Sequence, residues 1–313
     1  MATDQADGEV DPLDSFRQFF SLERDVLVLS LSMLAFSLAF QMTSRYLPEY
    51  MSALGASGVV IGLYGSAGNV ISFLYPYPGG AVSDRLGSRF ALTAFGLLAT
   101  VGFGVWYLAA AVGSVTVGSV TLPAWTFVFV GLFLAQAWKS FGLGATFAIV
   151  KQAVPPERLA MGFASTEVFR RLGFLIGPLL AAGLLAATAT FVEGFQAVLL
   201  VAVGFGAVAT VAQHVLYDAG EDTLGKSFEG LDQIVADFAA MPEPLRPLLV
   251  ADTLVRFANG MVYVFFVLVV TDFLSVGFSG FGLSLRPDAF FGVLLGVEMV
   301  VAILSMVPVS KLT

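Results

Sequence analysis

Long apolar runs broken by short polar turns set the rhythm of the chain. Eight of them occupy 26–46, 57–77, 90–112, 123–149, 163–188, 191–215, 247–271 and 288–310. Crossing a bilayer's hydrocarbon core takes ~20 mostly apolar residues, so each run is a candidate span. Interiors such as VLVLSLSMLAFSLAF are apolar on every side, with small residues interleaved. Lipid cannot satisfy backbone N–H and C=O groups, so such spans must be helices. The expected fold is all-α, a polytopic helical bundle whose solvent is the lipid bilayer.

Polar stretches divide this pattern. Residues 1–25 read as an acidic tail, 26–215 as a six-helix bundle, 216–246 as a linker and 247–313 as two further helices. Within the linker, Phe228, Leu231, Ile234, Val235 and Phe238 recur at helical spacing. They predict a short amphipathic helix against the membrane surface or the bundle.

Composition agrees with lipid as the solvent. The 313 residues are 58% hydrophobic and 12% charged, with a mean hydropathy of +0.88; soluble domains run about 25% charged. Cysteine is absent, which excludes disulfides and thiolate metal sites. The start, MATDQADGEVDPLDSF, lacks the basic opening and apolar stretch of a signal peptide.

Charge supplies an orientation. With the N-terminus in the cytoplasm, eleven bases fall on that side (Arg17, Arg24, Arg85, Arg89, Lys151, Arg158, Arg170, Arg171, Lys226, Arg246 and Lys311). Only Arg45 and Arg286 fall on the other, while Lys139 and Arg256 lie within spans. The positive-inside rule then places the N-terminus inside a cell membrane. Net charge is −8, and residues 1–25 and 216–246 each carry seven acids against two bases. That balance argues against a nucleic-acid partner. Four lysines against eleven arginines fit a halophilic surface and equally fit ordinary solvated tails.

A shift of 230 residues places Gly62 on Gly292, Ser66 on Gly296, Pro78 on Pro308 and Gly80 on Ser310. The eighth span thus repeats the second, as in transporters built from internal repeats. The turn after the second span reads GGAVSDRLGSR, residues 79–89. It resembles the loop between helices 2 and 3 of the major facilitator superfamily, whose pattern is G-x-x-x-D-R/K-x-G-R/K-R/K. Gly80, Asp84, Arg85, Gly87 and Arg89 match, and Ser88 replaces one base. The resemblance covers nearly the whole chain and implies twelve helices, of which eight are present. Residue 314 would align with Asp84, so the expectation is a chain cut before its second charged turn.

The resemblance also implies a conformational latch. Gly80 admits a close helix, Asp84 sits at a helix N-terminus, Gly87 permits the reversal, and Arg85 and Arg89 hold acids across the cytoplasmic seam. It further implies a secondary transporter of a small solute, working by alternating access and coupled to a proton or ion, with no cofactor.

Several span residues carry candidate chemistry. Gly173, Gly177 and Pro178 in FRRLGFLIGPLLAAG fit the glycine–proline pattern of family exporters, and close packing explains them equally well. Lys139 lies within the fourth span, one residue from where the family often carries an arginine; Trp138 occupies that place. Asp252 and Arg256 stand i,i+4 and read as a mutually neutralising pair. Glu298, mid-span in GVEMVVA, is the most pointed residue. An acid in hydrocarbon is costly unless it takes a proton or a partner, so Glu298 is a candidate proton carrier, or a partner for Lys139 or Arg256. Gln41, Asn69, Gln136 and Asn259 could line the same cavity or be satisfied inside the bundle.

Rival classes fare worse. GFSG at 277–280 has the look of a membrane serine protease, which needs a histidine beside its serine. The sole histidine, His214, ends the sixth span, on the opposite face from Ser279. A non-transporting structural membrane protein or an inactive fragment stays open, and gradient-driven solute movement separates a carrier from both.

Overall fold

A computed structural model describes residues 24–75, 87–139, 159–217 and 239–310. Its helices are α1 (Arg24–Thr43), α2 (Leu47–Ala53), α3 (Gly58–Leu74), α4 (Ser88–Val112), α5 (Thr126–Ala137), α6 (Leu159–Ala186), α7 (Phe191–Leu216), α8 (Leu245–Leu268) and α9 (Pro287–Ser310). Two antiparallel hairpins join helices: β1 (Val115–Val117) with β2 (Val120–Leu122), and β3 (Phe278–Gly280) with β4 (Leu283–Leu285). Apart from α2, each helix falls on one of the eight predicted runs. Six are long and apolar enough to cross a membrane; Gly58–Ser72 and Thr126–Ala137 are shorter apolar helices.

Boundaries differ in three places. The fifth run begins at Leu159 rather than 163. The described part of the fourth ends in a π-helical turn holding Trp138 and Lys139, and residues 140–149 lie outside the described residues. The seventh closes with a π-helical turn at Val269–Phe273. The amphipathic helix expected around Phe228–Phe238 also lies outside the described residues.

The chain alternates direction, so α2, the two hairpins and the α6–α7 turn gather at one end of the bundle, here the hairpin end. The start of α4 and the end of α7 mark the other, the linker end. Local chemistry fixes several starts. Ser57 accepts a hydrogen bond from the Val60 N–H at α3, and Thr190 accepts one from Glu193 at α7. Pro48 opens α2, where its missing N–H costs nothing.

Hydroxyls inside the helices bond back to their own backbone. Ser30 donates to Val26 O (2.7 Å), Thr43 to Ala39 O (2.8 Å), Thr100 to Gly96 O (2.8 Å) and Thr210 to Gly206 O (2.7 Å). With no water in the hydrocarbon layer, a carbonyl one turn back is the nearest acceptor.

Packing rests on small residues. A Cβ on Gly96 would meet Thr210 and one on Gly206 would meet Thr100, so α4 and α7 cross reciprocally. Gly173 lies against Ser37 and Leu38, and Gly177 against Gln41, which seats α6 on α1. Such close approach replaces the hydrophobic drive that lipid does not supply. The core centres on Trp106, Tyr50, Phe36, Phe103 and Phe195. Trp106 Nε1 donates to Val128 O (2.9 Å), and the Tyr50 hydroxyl donates to Trp106 O (3.0 Å) while accepting from the Ala110 N–H (3.0 Å).

Helix α8 docks on α2 and α3, and α9 docks on α6. Gly62 and Gly65 of α3 face Phe265 and Val264 of α8, and Gly292 of α9 faces Pro178 and Ala182 of α6. The two positions aligned by the internal repeat, Gly62 and Gly292, therefore both lie where one half meets the other.

Candidate functional site: two cavities and a seam

The first cavity lies within the first six helices. About 190 Å³ in volume, it is walled by Ser44 just after α1, Gly68, Asn69 and Ser72 of α3, Gln136 of α5 and Lys139 on the π turn. Gln136 Nε2 donates to Ser72 Oγ (3.2 Å) and Gly68 O (3.4 Å), while its carbonyl oxygen is buried without a partner. A cation, two amides and hydroxyls line one side, and Phe40, Tyr64 and Trp106 the other. Asn69 and Gly65 also line a groove of about 330 Å³ between α3 and α8, shared with Phe257, Gly260 and Val264.

The second cavity, about 370 Å³, lies between α8 and α9 and is lined by Val262, Tyr263, Phe266, Leu294, Leu295 and Glu298. The Tyr263 hydroxyl donates to Glu298 Oε1 at 2.7 Å. The Arg45 guanidinium stands 4.3 Å from the centre of the Tyr263 ring, a cation–π geometry. Arg45 follows α1, Tyr263 is on α8 and Glu298 on α9, so Tyr263 meets a cation at its ring and a carboxylate at its hydroxyl.

These positions correct several expectations. Glu298 takes Tyr263 as its partner rather than Lys139 or Arg256. Arg256 donates to Asp252 at 2.6 Å, an exposed pair one turn apart, which is the pairing read from their i,i+4 spacing. Glu298 and Lys139 line separate cavities, not one. Asn259 is exposed on α8, and Gln41 packs on Gly177. Arg45, counted above among loop charges, sits over the Tyr263 ring.

Of the charged turn, Gly80, Asp84 and Arg85 lie outside the described residues. Gly87 precedes α4 with φ +86°, the left-handed backbone that favours glycine. Arg89 Nε donates to His214 O at 2.7 Å, which satisfies a carbonyl in the last turn of α7. Arg89 thus holds the end of α7 from the start of α4. Ser88 Oγ lies 3.1 Å from the Tyr217 hydroxyl, and Thr93 Oγ1 3.1 Å from His214 Nδ1. His214 is at the linker end and Ser279 is in β3 at the hairpin end, so no serine–histidine pair forms.

The seam at the hairpin end holds charges the sequence did not flag. Arg286, just before α9, donates to Asp288 Oδ1 (3.2 Å) and Oδ2 (2.8 Å). It also donates to the carbonyls of Leu185 (2.9 Å), Thr188 (2.8 Å) and Ala189 at the end of α6. Glu49 of α2 is buried beside it, with Oε2 unpartnered. Burial, with Asp288 and Asp272 nearby, pushes the Glu49 carboxyl up to about 8. Tyr46 seals the seam, its ring 5.5 Å from Phe291 and edge-on.

The family profile of the Major Facilitator Superfamily matches residues 29–313. Two uncharacterized MFS-type transporters from two strains of Mycobacterium tuberculosis are each 27% identical over 198 residues, 63% of this chain and 42% of theirs. The matched segment thus spans about two fifths of the length of those relatives. Among solved structures, a peptide transporter POT in complex with alafosfalin aligns with TM-score 0.57 at 18% identity, over 94% of this chain and 69% of that one. A POT family transporter in complex with 5-aminolevulinic acid gives 0.54 at 15%, over 94% and 72%. At these identities the likeness is one of fold.

Proposed function

This chain belongs to the Major Facilitator Superfamily, and from that premise we propose that it carries a small solute across a cell membrane by alternating access, with Glu298 as the proton carrier. The observation that carries the reading is the triad Arg45–Tyr263–Glu298. A carboxylate beside apolar walls is held by the Tyr263 hydroxyl of α8, whose ring carries Arg45 from the turn after α1. Ionised or protonated, Glu298 can accept from Tyr263 through an unprotonated oxygen, so a proton can come and go without dismantling the site. Rocking of the halves would move Arg45 relative to Tyr263 and so change the surroundings of the Glu298 carboxyl. Lys139, Gln136 and Asn69 supply the polar wall on which a solute would rest, near the depth where family repeats meet.

The linker end faces the cytoplasm in this reading, supported by the eleven-to-two distribution of bases. The glycine–proline pattern of α6 supports export in exchange for protons. The charged turn would act as a latch at the cytoplasmic end.

The test is solute flux in proteoliposomes under an imposed pH gradient. Glu298→Gln is expected to abolish gradient-driven accumulation while leaving solute exchange without a gradient within a few-fold of the parent. Unchanged pH-driven accumulation in that variant would remove Glu298 from the mechanism. No flux of any solute under a proton or ion gradient would favour a structural role.

A further inference from the structure

The hairpin-end seam holds a second titratable group, remote from Glu298. Its stoichiometry is the informative part. A guanidinium has five N–H donors, and those of Arg286 meet five acceptors: two Asp288 oxygens and the carbonyls of Leu185, Thr188 and Ala189. None is left for Glu49, a residue only 8% exposed, with one buried carboxyl oxygen unpartnered. Thr271 lies against that carboxyl but gives its own hydroxyl proton to Val267 O at 2.9 Å. A hydrogen bond from Thr271 favours the ionised acid, but burial and the nearby Asp288 and Asp272 outweigh it.

The charges around Glu49 agree. Asp272 faces it from the π turn after α8, and Asp288 with Arg286 from the start of α9. The sequence of α3 contains no charged residue, and Glu193, in the first turn of α7, is exposed. Tyr46 on the adjoining segment is buried, and Arg45 is turned to Tyr263. One cation thus stands against three acids, and its bonds are spent on Asp288 and a helix end.

We propose that Glu49 is a proton-binding residue whose protonation holds the hairpin-end seam shut, and whose ionisation opens it. In the shut seam Glu49 is neutral and packed between α2, α8 and α9. Loss of the proton leaves a dry carboxylate against Asp272 and Asp288, and the seam relieves this by parting and admitting water. Glu49's affinity for its proton is raised in the shut form, from the ordinary 4.5 to about 8. The shut form is therefore fully favoured below the ordinary value, and the advantage is lost as pH rises toward about 8. Across that interval the shut-to-open ratio falls by up to tenfold per pH unit. This lock requires neither Glu298 nor a solute, so its test stands apart from the transport reading.

The chain has no cysteine, so nitroxide labels at Ala187→Cys and Ser284→Cys report one distance across the seam in lipid nanodiscs. Between about pH 6 and about pH 9 a longer-distance population should grow, with the shut-to-open ratio falling at least tenfold. Glu49→Gln should keep the short distance throughout, and Asp272→Asn, which relieves the repulsion on ionised Glu49, should move the midpoint to higher pH. Distances that ignore pH in the parent would overturn the proposal, as would a Glu49→Gln curve that follows the parent's. An unmoved midpoint in Asp272→Asn would overturn the role of like charge. If Glu49→Gln loses its helical circular dichroism, the parent and Asp272→Asn series decide.

Discussion

Two arginines close two helix ends, and they do different work. At the linker end Arg89 donates to His214 O, joining α4 to α7 inside one half. At the hairpin end Arg286 donates to the carbonyl of Leu185 in the last turn of α6 and to those of Thr188 and Ala189 in the turn that follows, joining the start of α9 to that end. Both meet the same need, since the last carbonyls of a helix lack intrahelical partners and carry partial negative charge. The difference lies in what each contact spans. In the rocking motion proposed above, Arg89 would keep its contact and Arg286 would have to release its own. Around them the packing follows suit. Tyr46, Phe291, Phe195 and Ala289 are buried at the hairpin end, while Leu248, Leu254 and Phe257 toward the linker end of α8 are exposed.

The largest expected effect comes from breaking the contact between halves. Arg286→Gln leaves three carbonyls and Asp288 short of donors, and should cost on the order of 2–4 kcal/mol. Thermal unfolding in micelles would show it, together with a longer Ala187–Ser284 label distance at all pH values. A variant as stable as the parent would mean that Arg286 does not hold the halves together. Arg89→Ala removes one bond within a half and should cost about 0.5–1.5 kcal/mol, with the seam distance unchanged. A seam that widens in Arg89→Ala would erase the contrast between the two ends. The smallest effect is expected at Asp252→Asn, because the Asp252–Arg256 pair is exposed on α8 and such pairs contribute little. Its melting curve should overlay the parent's.

The eight helices were legible because lipid imposes one rule on length and polarity, and runs of twenty apolar residues state it openly. The hairpins and α2 were not. Three-residue strands carry too little alternation to register, and LPEYMSA reads as a polar turn until its burial against α8 is seen. Glu298 stood out as a lone acid in an apolar run. Its partners did not, since Tyr263 passes for a membrane aromatic and Arg45 for a loop charge. Glu49 and Arg286 were hidden for the same reason: their chemistry depends on segments far apart in sequence. The charge count saw Arg286 only as one of two bases on the sparse side.

The self-contained hydroxyls of the helices have a mechanical consequence. A serine or threonine that satisfies itself one turn back carries its bond along when its helix tilts, so sliding one helix past another breaks nothing there. Friction between the halves is then concentrated in the few side chains that reach across, and the timing of any rocking motion is set at those points rather than along the length of the spans.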